Sequence, residues 1–324
     1  MTGTGEPSWT VRAAGPNDAA SVADLFGAVF GKPLSERAYR WKYLDAPCAT
    51  HAPTSFVAVA QGRVVGHFGG TPMRVRIGGR DVTAVHGSGA MVAAEFRRRG
   101  IMVALMSAAN AAWATGGASF QLAVPNQNLY GLRERLDYRP TFLLRWLWRP
   151  LWLTRRRSSG EHEVTPVAAG DPSFDELWNA LAPADDALVV RDSSWIGYRY
   201  GADAPFEYRV LVAREHGSAR GYLVYRLMPD ERRSAWIADL FGAPEARRDL
   251  LRAAVAELGR AGARDVRVFA ARPSAVWGEL IRARFVPRRG AYDVRVTPFA
   301  QELPWDVLRD SRRFLLAGGD FDVV

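Results

Sequence analysis

One stretch of this chain occurs twice. Tyr130-Gly-Leu-Arg-Glu-Arg-Leu-Asp-Tyr-Arg-Pro140 aligns without a gap on Trp277-Gly-Glu-Leu-Ile-Arg-Ala-Arg-Phe-Val-Pro287. Tyr130/Trp277, Gly131/Gly278, Arg135/Arg282, Tyr138/Phe285 and Pro140/Pro287 agree as identities or as aromatics. Trp41-Lys-Tyr43 before Ala46-Pro47 is echoed by Tyr198-Arg-Tyr200 before Ala204-Pro205, and Val64-Val-Gly66 by Gly221-Tyr222. A repeat of this length implies two similar α/β units in tandem rather than a solenoid of short ones. The polar stretch Arg155-Arg-Arg-Ser-Ser-Gly-Glu-His-Glu163 has no apolar periodicity and reads as the joint. The expected division is residues 1–153, a linker at 154–165, and residues 166–324.

At 324 residues the chain is long enough for two cores of ordinary size. Apolar residues make up 48%, too many for a disordered chain. No run approaches a membrane span, and Met1–Pro7 lacks a signal-peptide pattern, so a soluble cytoplasmic protein is expected. Cys48 is the sole cysteine, which excludes an internal disulfide framework. The five histidines show no ligand spacing, so no metal is expected. Charge is divided unevenly. Residues 1–160 carry 18 Arg and 2 Lys against 9 acidic residues, a net +11, while residues 161–324 carry 23 Arg against 25, a net −2. A basic first half suits a polyanionic ligand such as the phosphates of a coenzyme, and also nucleic acid.

The first half contains a strand, Val85-His-Gly-Ser-Gly-Ala-Met-Val92, followed by Ala-Ala-Glu-Phe-Arg97-Arg98-Arg99-Gly100 and an alanine-rich helix predicted over residues 101–114. A helix N-terminus offers unpaired N–H groups and the positive end of its dipole. Three arginines add forked donors, and Gly100 lets the backbone approach an anion. The plainer alternative is a strand–helix junction with a solvated basic turn. The second half reads Pro244-Glu-Ala-Arg-Arg-Asp-Leu250 at the matching place, without the glycine and with acids beside it.

The order strand, Arg97-x-x-Gly100-x-Met102, helix, strand, Asn126, then Leu136-Asp137-Tyr138 resembles the GNAT acyl-CoA N-acyltransferases across residues 10–148. The family loop is Arg/Gln-x-x-Gly-x-Gly/Ala; Arg97 and Gly100 match, and Met102 departs where a small residue is usual. The resemblance implies an α/β fold (an α+β mixed sheet) built as two tandem GNAT-like domains, the second degenerate and shaping the substrate cleft. It implies acetyl-CoA, or another acyl-CoA, as the acyl donor. The donor would be held by Ala90, Met91 and Val92 along the strand, by Arg97, Arg98, Arg99, Gly100, Ile101 and Met102 at the loop, and by Asn126. The acceptor would be a small-molecule amine or an amino-sugar-like molecule.

For proton transfer the resemblance directs attention to His86, further back on the same strand. Period-two alternation would put it on the face of Ser88, Ala90 and Val92, and an imidazole suits a base near neutral pH. A satisfied strand histidine, or one turned outward by a bulge at Gly87 or Gly89, is the structural alternative. The family's usual tyrosine acid falls at Arg133, which leaves Tyr130 as the substitute acid, against a packing role suggested by Trp277. Two other functions compete with acyl transfer. One is an aminoacyl-tRNA-dependent transferase, the only reading that brings in nucleic acid. The other is a non-catalytic binding module that kept the fold.

Overall fold

The computed structural model describes residues 8–48, 52–132, 134–152, 160–182, 186–228 and 233–321, with the side chains of Gln127 and Tyr130 left aside. In chain order the elements are β1 (Trp9–Ala13), α1 (Ala19–Phe30), α2 (Glu36–Tyr43), β2 (Ser55–Ala60), β3 (Arg63–Ile77), β4 (Arg80–Val92), α3 (Ile101–Thr115), β5 (Phe120–Ala123) and β6 (Arg139–Pro150). Then come β7 (Glu163–Val167), α4 (Ser173–Leu181), β8 (Ala187–Val189), α5 (Ser193–Tyr200), β9 (Arg209–Glu215), β10 (Ser218–Leu227), β11 (Ser234–Gly242) and α6 (Pro244–Arg260). The chain finishes with β12 (Asp265–Ala271), α7 (Ala275–Arg282), β13 (Val286–Pro287), β14 (Tyr292–Pro298), α8 (Trp305–Leu308) and β15 (Phe314–Leu315). The fold is α/β with mixed sheets.

Two compact units divide these elements. The first comprises Met1–Arg74, Val82–Pro140 and Arg295–Leu303; the second comprises Val75–Asp81, Thr141–Val294 and Pro304–Val324. In the first, β1 and β2 pair antiparallel, as do β2 and β3, while β4 and β5 run parallel. The free side of β5 is taken by Arg295–Pro298 of β14, antiparallel, from far along the chain. Alternation along β4 and β5 buries apolar side chains on both faces. On one face α3 presents Ile101, Leu105, Ala109 and Trp113 to Phe56, Phe68 and Val85. On the other, Val22 and Leu25 of α1 and Tyr39 and Tyr43 of α2 pack with Val57 and Met91. Gly66 lets α3 lie close on β3: a Cβ there would come within 2.9 Å of Ile101 and 3.0 Å of Leu105.

The second unit repeats this element order. β9, β10 and β11 form an antiparallel run, α6 follows, and β12 returns parallel to β11 before α7. α6 packs Leu250, Leu251, Ala254 and Leu258 against Leu211, Leu223, Ile237 and Val268. The duplicated stretch repeats in detail. Leu136 N donates to Leu132 O and Asp137 N to Glu134 O, and at the matching positions Ala283 N donates to Glu279 O and Arg284 N to Ile281 O. Asp137 and Arg284 both adopt the left-handed region, at φ +50 and +65, and Tyr138 and Phe285 are both buried. The C-terminal segment folds back into this unit. Asp320 lies 2.9 Å from Arg191, which also lies 3.2 Å from Asp239, and all three are buried. The Asp320 carboxylate is thus built into the core of this unit.

Most predicted elements of the first half are present. Ser55–Ala60 is a strand, and the Gly78-Gly79 turn adopts φ +55 and +77 as a two-residue hairpin requires. Where the second unit has α7, the matching stretch of the first is a 3-10 turn, Gln127–Leu132, rather than a helix. Asn126 Oδ1 accepts from Asn128 N, and such a side-chain turn competes with a regular first helical turn. Trp146 and Trp148 are half-buried on β6, whereas Trp152 is exposed.

Candidate functional site

Between β4 and α3 the chain makes a short 3-10 turn, Ala94–Phe96, and then a basic loop. Arg98 and Gly100 both take positive φ, +65 and +79, with Arg97 extended before them. Gly100 is the N-cap of α3, and no side chain caps that helix. Left-handed residues just before a helix N-terminus are a backbone geometry that can present N–H groups to an anion. Arg97 donates from Nε to Val92 O at 3.2 Å, tying the loop back to β4. Arg99 lies 5.4 Å over the Phe96 ring, and its Nη1 is buried with no hydrogen-bond partner among the described residues. Met102, where the family prefers a small residue, packs with the apolar cluster under α3.

The strand leading into the loop is irregular. β4 and β5 pair only from Ala84/Phe120 to His86/Leu122 and then part. Val85, Ala90 and Val92 all pack with the α3-side cluster, whereas Met91 packs with the α1/α2 side. Strict alternation would not place Val85 with Ala90. The break is Gly89, at φ +65, whose added Cβ would meet the Tyr43 hydroxyl and the His67 ring. A bulge of this kind inserts one residue and flips the parity beyond it. His86 therefore does not share the face of Ala90 and Val92, contrary to the period-two reading. It is 5% exposed and engaged in an interaction of its own.

A buried chain of polar side chains holds that bulge, and the sequence reading missed it. His67 is fully buried: Nδ1 is 2.9 Å from Gly89 O and Nε2 is 2.7 Å from Ser55 Oγ. Tyr39 OH donates to Ser55 Oγ at 3.3 Å, and the Tyr43 ring stands edge-on to the imidazole at 5.1 Å. The carbonyl can only accept, so Nδ1 carries the proton and Nε2 accepts from Ser55. Burial pulls the His67 pKa down to about 4, leaving the ring neutral near pH 7. Only tertiary contact relates His67 on β3 to Gly89 on β4.

Across the parting strands, Gln121 is fully buried. Its Nε2 donates to Tyr138 OH at 3.1 Å, while its Oε1 has no partner among the described residues. Burial pushes the Tyr138 hydroxyl pKa up. Ser88 Oγ on β4 is likewise buried and without a partner among the described residues. Buried polar atoms are ordinarily hydrogen-bonded. Three such atoms, on Ser88, Arg99 and Gln121, thus lie on β4, the loop and β5.

The remaining site expectations fare unevenly. Asn126 is exposed, and its side-chain oxygen holds the local turn. Tyr130 lies in the 3-10 stretch, with its side chain outside the described residues, and Arg133 is outside them altogether. A cavity of about 530 Å³ borders the loop, where Asp24 and Glu95 stand against Arg63 and Arg97. Among the described residues, no group of His, Cys, Asp and Glu is placed to hold a metal ion.

Residues 10–141 match the family model of the acetyltransferase (GNAT) domain. No curated protein matches the chain. Solved structures similar to it include a GCN5-related N-acetyltransferase from Anabaena variabilis, at TM-score 0.70 and 15% identity, covering 90% of this chain and 73% of the other. Another from Kribbella flavida has TM-score 0.68 and 18% identity, covering 90% and 71%. A probable N-acyltransferase from Enterococcus faecalis has TM-score 0.67 and 16% identity, covering 90% and 72%. At these identities the likeness concerns the fold.

Proposed function

We propose that the first unit transfers an acyl group, acetyl in the simplest case, from acyl-CoA to a small-molecule amine. The observation that carries this reading is the loop: left-handed Arg98 and Gly100 and the uncapped α3 N-terminus form a phosphate cradle, with Arg99 Nη1 lacking a partner. In this reading Arg97–Met102 hold the coenzyme's phosphates, and Ala90–Val92 run beside its pantetheine arm. The coenzyme supplies an activated thioester. The acceptor nitrogen attacks the carbonyl carbon, the C–S bond breaks, and the amine proton must reach a base while the thiolate gains one. His86 is proposed as that base and Tyr130 as the acid. Asn126 is proposed to contact the coenzyme through its amide nitrogen, since its oxygen is occupied.

The second unit is proposed to be a GNAT-like domain that lost this cradle. Where residues 93–100 separate β4 from α3, Ala243 alone separates β11 from α6. Repeated element order and the matched turns at Asp137 and Arg284 support a tandem origin.

Calorimetry with acetyl-CoA tests the reading. Binding is expected with the wild type and is lost in Gly100→Glu, where a Cβ meets nothing within 4 Å and the added charge opposes phosphate. Absence of binding at millimolar coenzyme overturns it. Thiol release from acetyl-CoA across a library of amines then identifies the acceptor, and activity that persists in His86→Ala removes His86 as the base.

A further inference from the structure

Outside the acyl-CoA cradle, the second unit contains a cavity of about 480 Å³ lined by Leu143, Arg145, Arg272, Trp277 and Pro287. That volume falls in the range of small-molecule sites. Its position follows from the fold. Arg145 on β6 is paired with Ala270 on β12, and Ala270 belongs to the core under α6. Arg272 immediately follows β12, and Trp277 stands in the first turn of α7. Pro287 of β13 pairs with Leu147 on β6 and closes the apolar side.

The charge in this cavity is uncompensated. No acidic side chain lines it. Neither Arg145 nor Arg272 has a carboxylate partner among the described residues, whereas Arg139, Arg267 and Arg247 of the same chain pair with Asp137, Asp265 and Glu279. Two guanidiniums around one cavity repel unless an anion joins them, and their planar forks match phosphate and carboxylate oxygens. Ser274 Oγ caps α7 by accepting from Trp277 N, which fixes the backbone of the residue that walls the cavity. The half-buried indole of Trp277 offers a flat apolar wall beside the cations.

We infer that this cavity binds a small phosphorylated molecule carrying a flat ring, its phosphate between Arg145 and Arg272 and its ring against Trp277. The inference is independent of acyl transfer by the first unit, and a single probe separates the two. Adenosine 5′-monophosphate would be titrated into the full-length chain by calorimetry, with adenosine and inorganic phosphate as controls. The wild type and Gly100→Glu are expected to bind the nucleotide equally, at sub-millimolar concentration, with adenosine at least tenfold weaker. Arg145→Ala/Arg272→Ala is expected to lose at least tenfold, and Trp277→Ala to weaken the nucleotide while leaving inorganic phosphate unchanged. If the double variant fails to fold, Arg272→Ala decides, since that side chain is exposed, and a severalfold loss is expected. Absence of binding to the wild type, loss of binding in Gly100→Glu, or full binding in the arginine variants would overturn the inference.

Discussion

His67 Nδ1 lies 2.9 Å from the carbonyl oxygen of Gly89, and through that one hydrogen bond β3 dictates which way the residues of β4 face. Beyond Gly89 the strand is out of phase with its beginning, so Ala90 and Val92 turn to the α3 side with Val85. The neutral imidazole is fitted between a carbonyl and the Ser55 hydroxyl, with no room for a second charge-bearing proton.

The first prediction concerns acid. The folded pKa of His67, about 4, is below the ordinary 6.5, so at intermediate pH the unfolded chain binds more protons than the folded one. The neutral fit therefore stabilises fully above about pH 6.5, and its contribution is lost as pH falls from 6.5 to 4. The contribution at neutral pH is on the order of 3 kcal/mol. Urea midpoints measured from pH 8 to pH 4 should fall through this window for the wild type. The fall should be shallower in His67→Gln, and identical slopes would contradict the assignment.

The second concerns the cradle itself. Gly100→Ala introduces a side chain at φ +79, with open space around it. The expected cost is backbone strain alone, about 1 kcal/mol of stability, together with weaker acetyl-CoA binding as the N–H groups shift. Thermal denaturation and calorimetry on the same samples separate the two effects.

The third concerns the seat of α3. Gly66→Val pushes a branched side chain into Ile101 and Leu105, whose atoms already stand within 3.0 Å of a simple Cβ. Overpacking should cost roughly 1–3 kcal/mol. It should also displace the loop that α3 carries, so coenzyme affinity falls along with the melting temperature. Unchanged affinity would show that the loop is positioned independently of the helix seat.

The fourth concerns the second unit. Arg191→Met leaves Asp239 and Asp320 buried without their cation. Removing one partner of such a network costs roughly 3–5 kcal/mol. Burial already pushes Asp320 upward against the pull of Arg191, so the variant should recover part of its stability as pH is lowered and the carboxylates protonate. A denaturation midpoint that ignores pH would remove the electrostatic explanation.

What the sequence made legible was local. The strand at Ser55–Ala60, the Gly78-Gly79 hairpin, the basic loop and the onset of α3 each depend on neighbours a few residues away, and each is found where its residues direct. Duplication was legible for the same reason, since Asp137 and Arg284 repeat a turn whose hydrogen bonds span four residues. The face of His86 was not legible. Gly87 and Gly89 are both plausible bulge positions, and the choice is made by Tyr43 and His67, which are distant in sequence. The missing helix near residue 130 also follows from a competition, between Asn126's side chain and helical hydrogen bonding, that residue types alone leave balanced. Strand partners at long range were least accessible: nothing in Phe120–Ala123 names Arg295–Pro298 as its neighbour.

That pairing sets an order of events during synthesis. β5 emerges from the ribosome with one side bonded to β4 and the other bare, and its partner is made only about 170 residues later, since Ala123 pairs with Arg295. An edge of unpaired amides and carbonyls invites association with other chains. The first unit is thus completed only after most of the second has been made, and a fragment ending at residue 153 should be prone to aggregate even though it contains every residue proposed for acyl transfer.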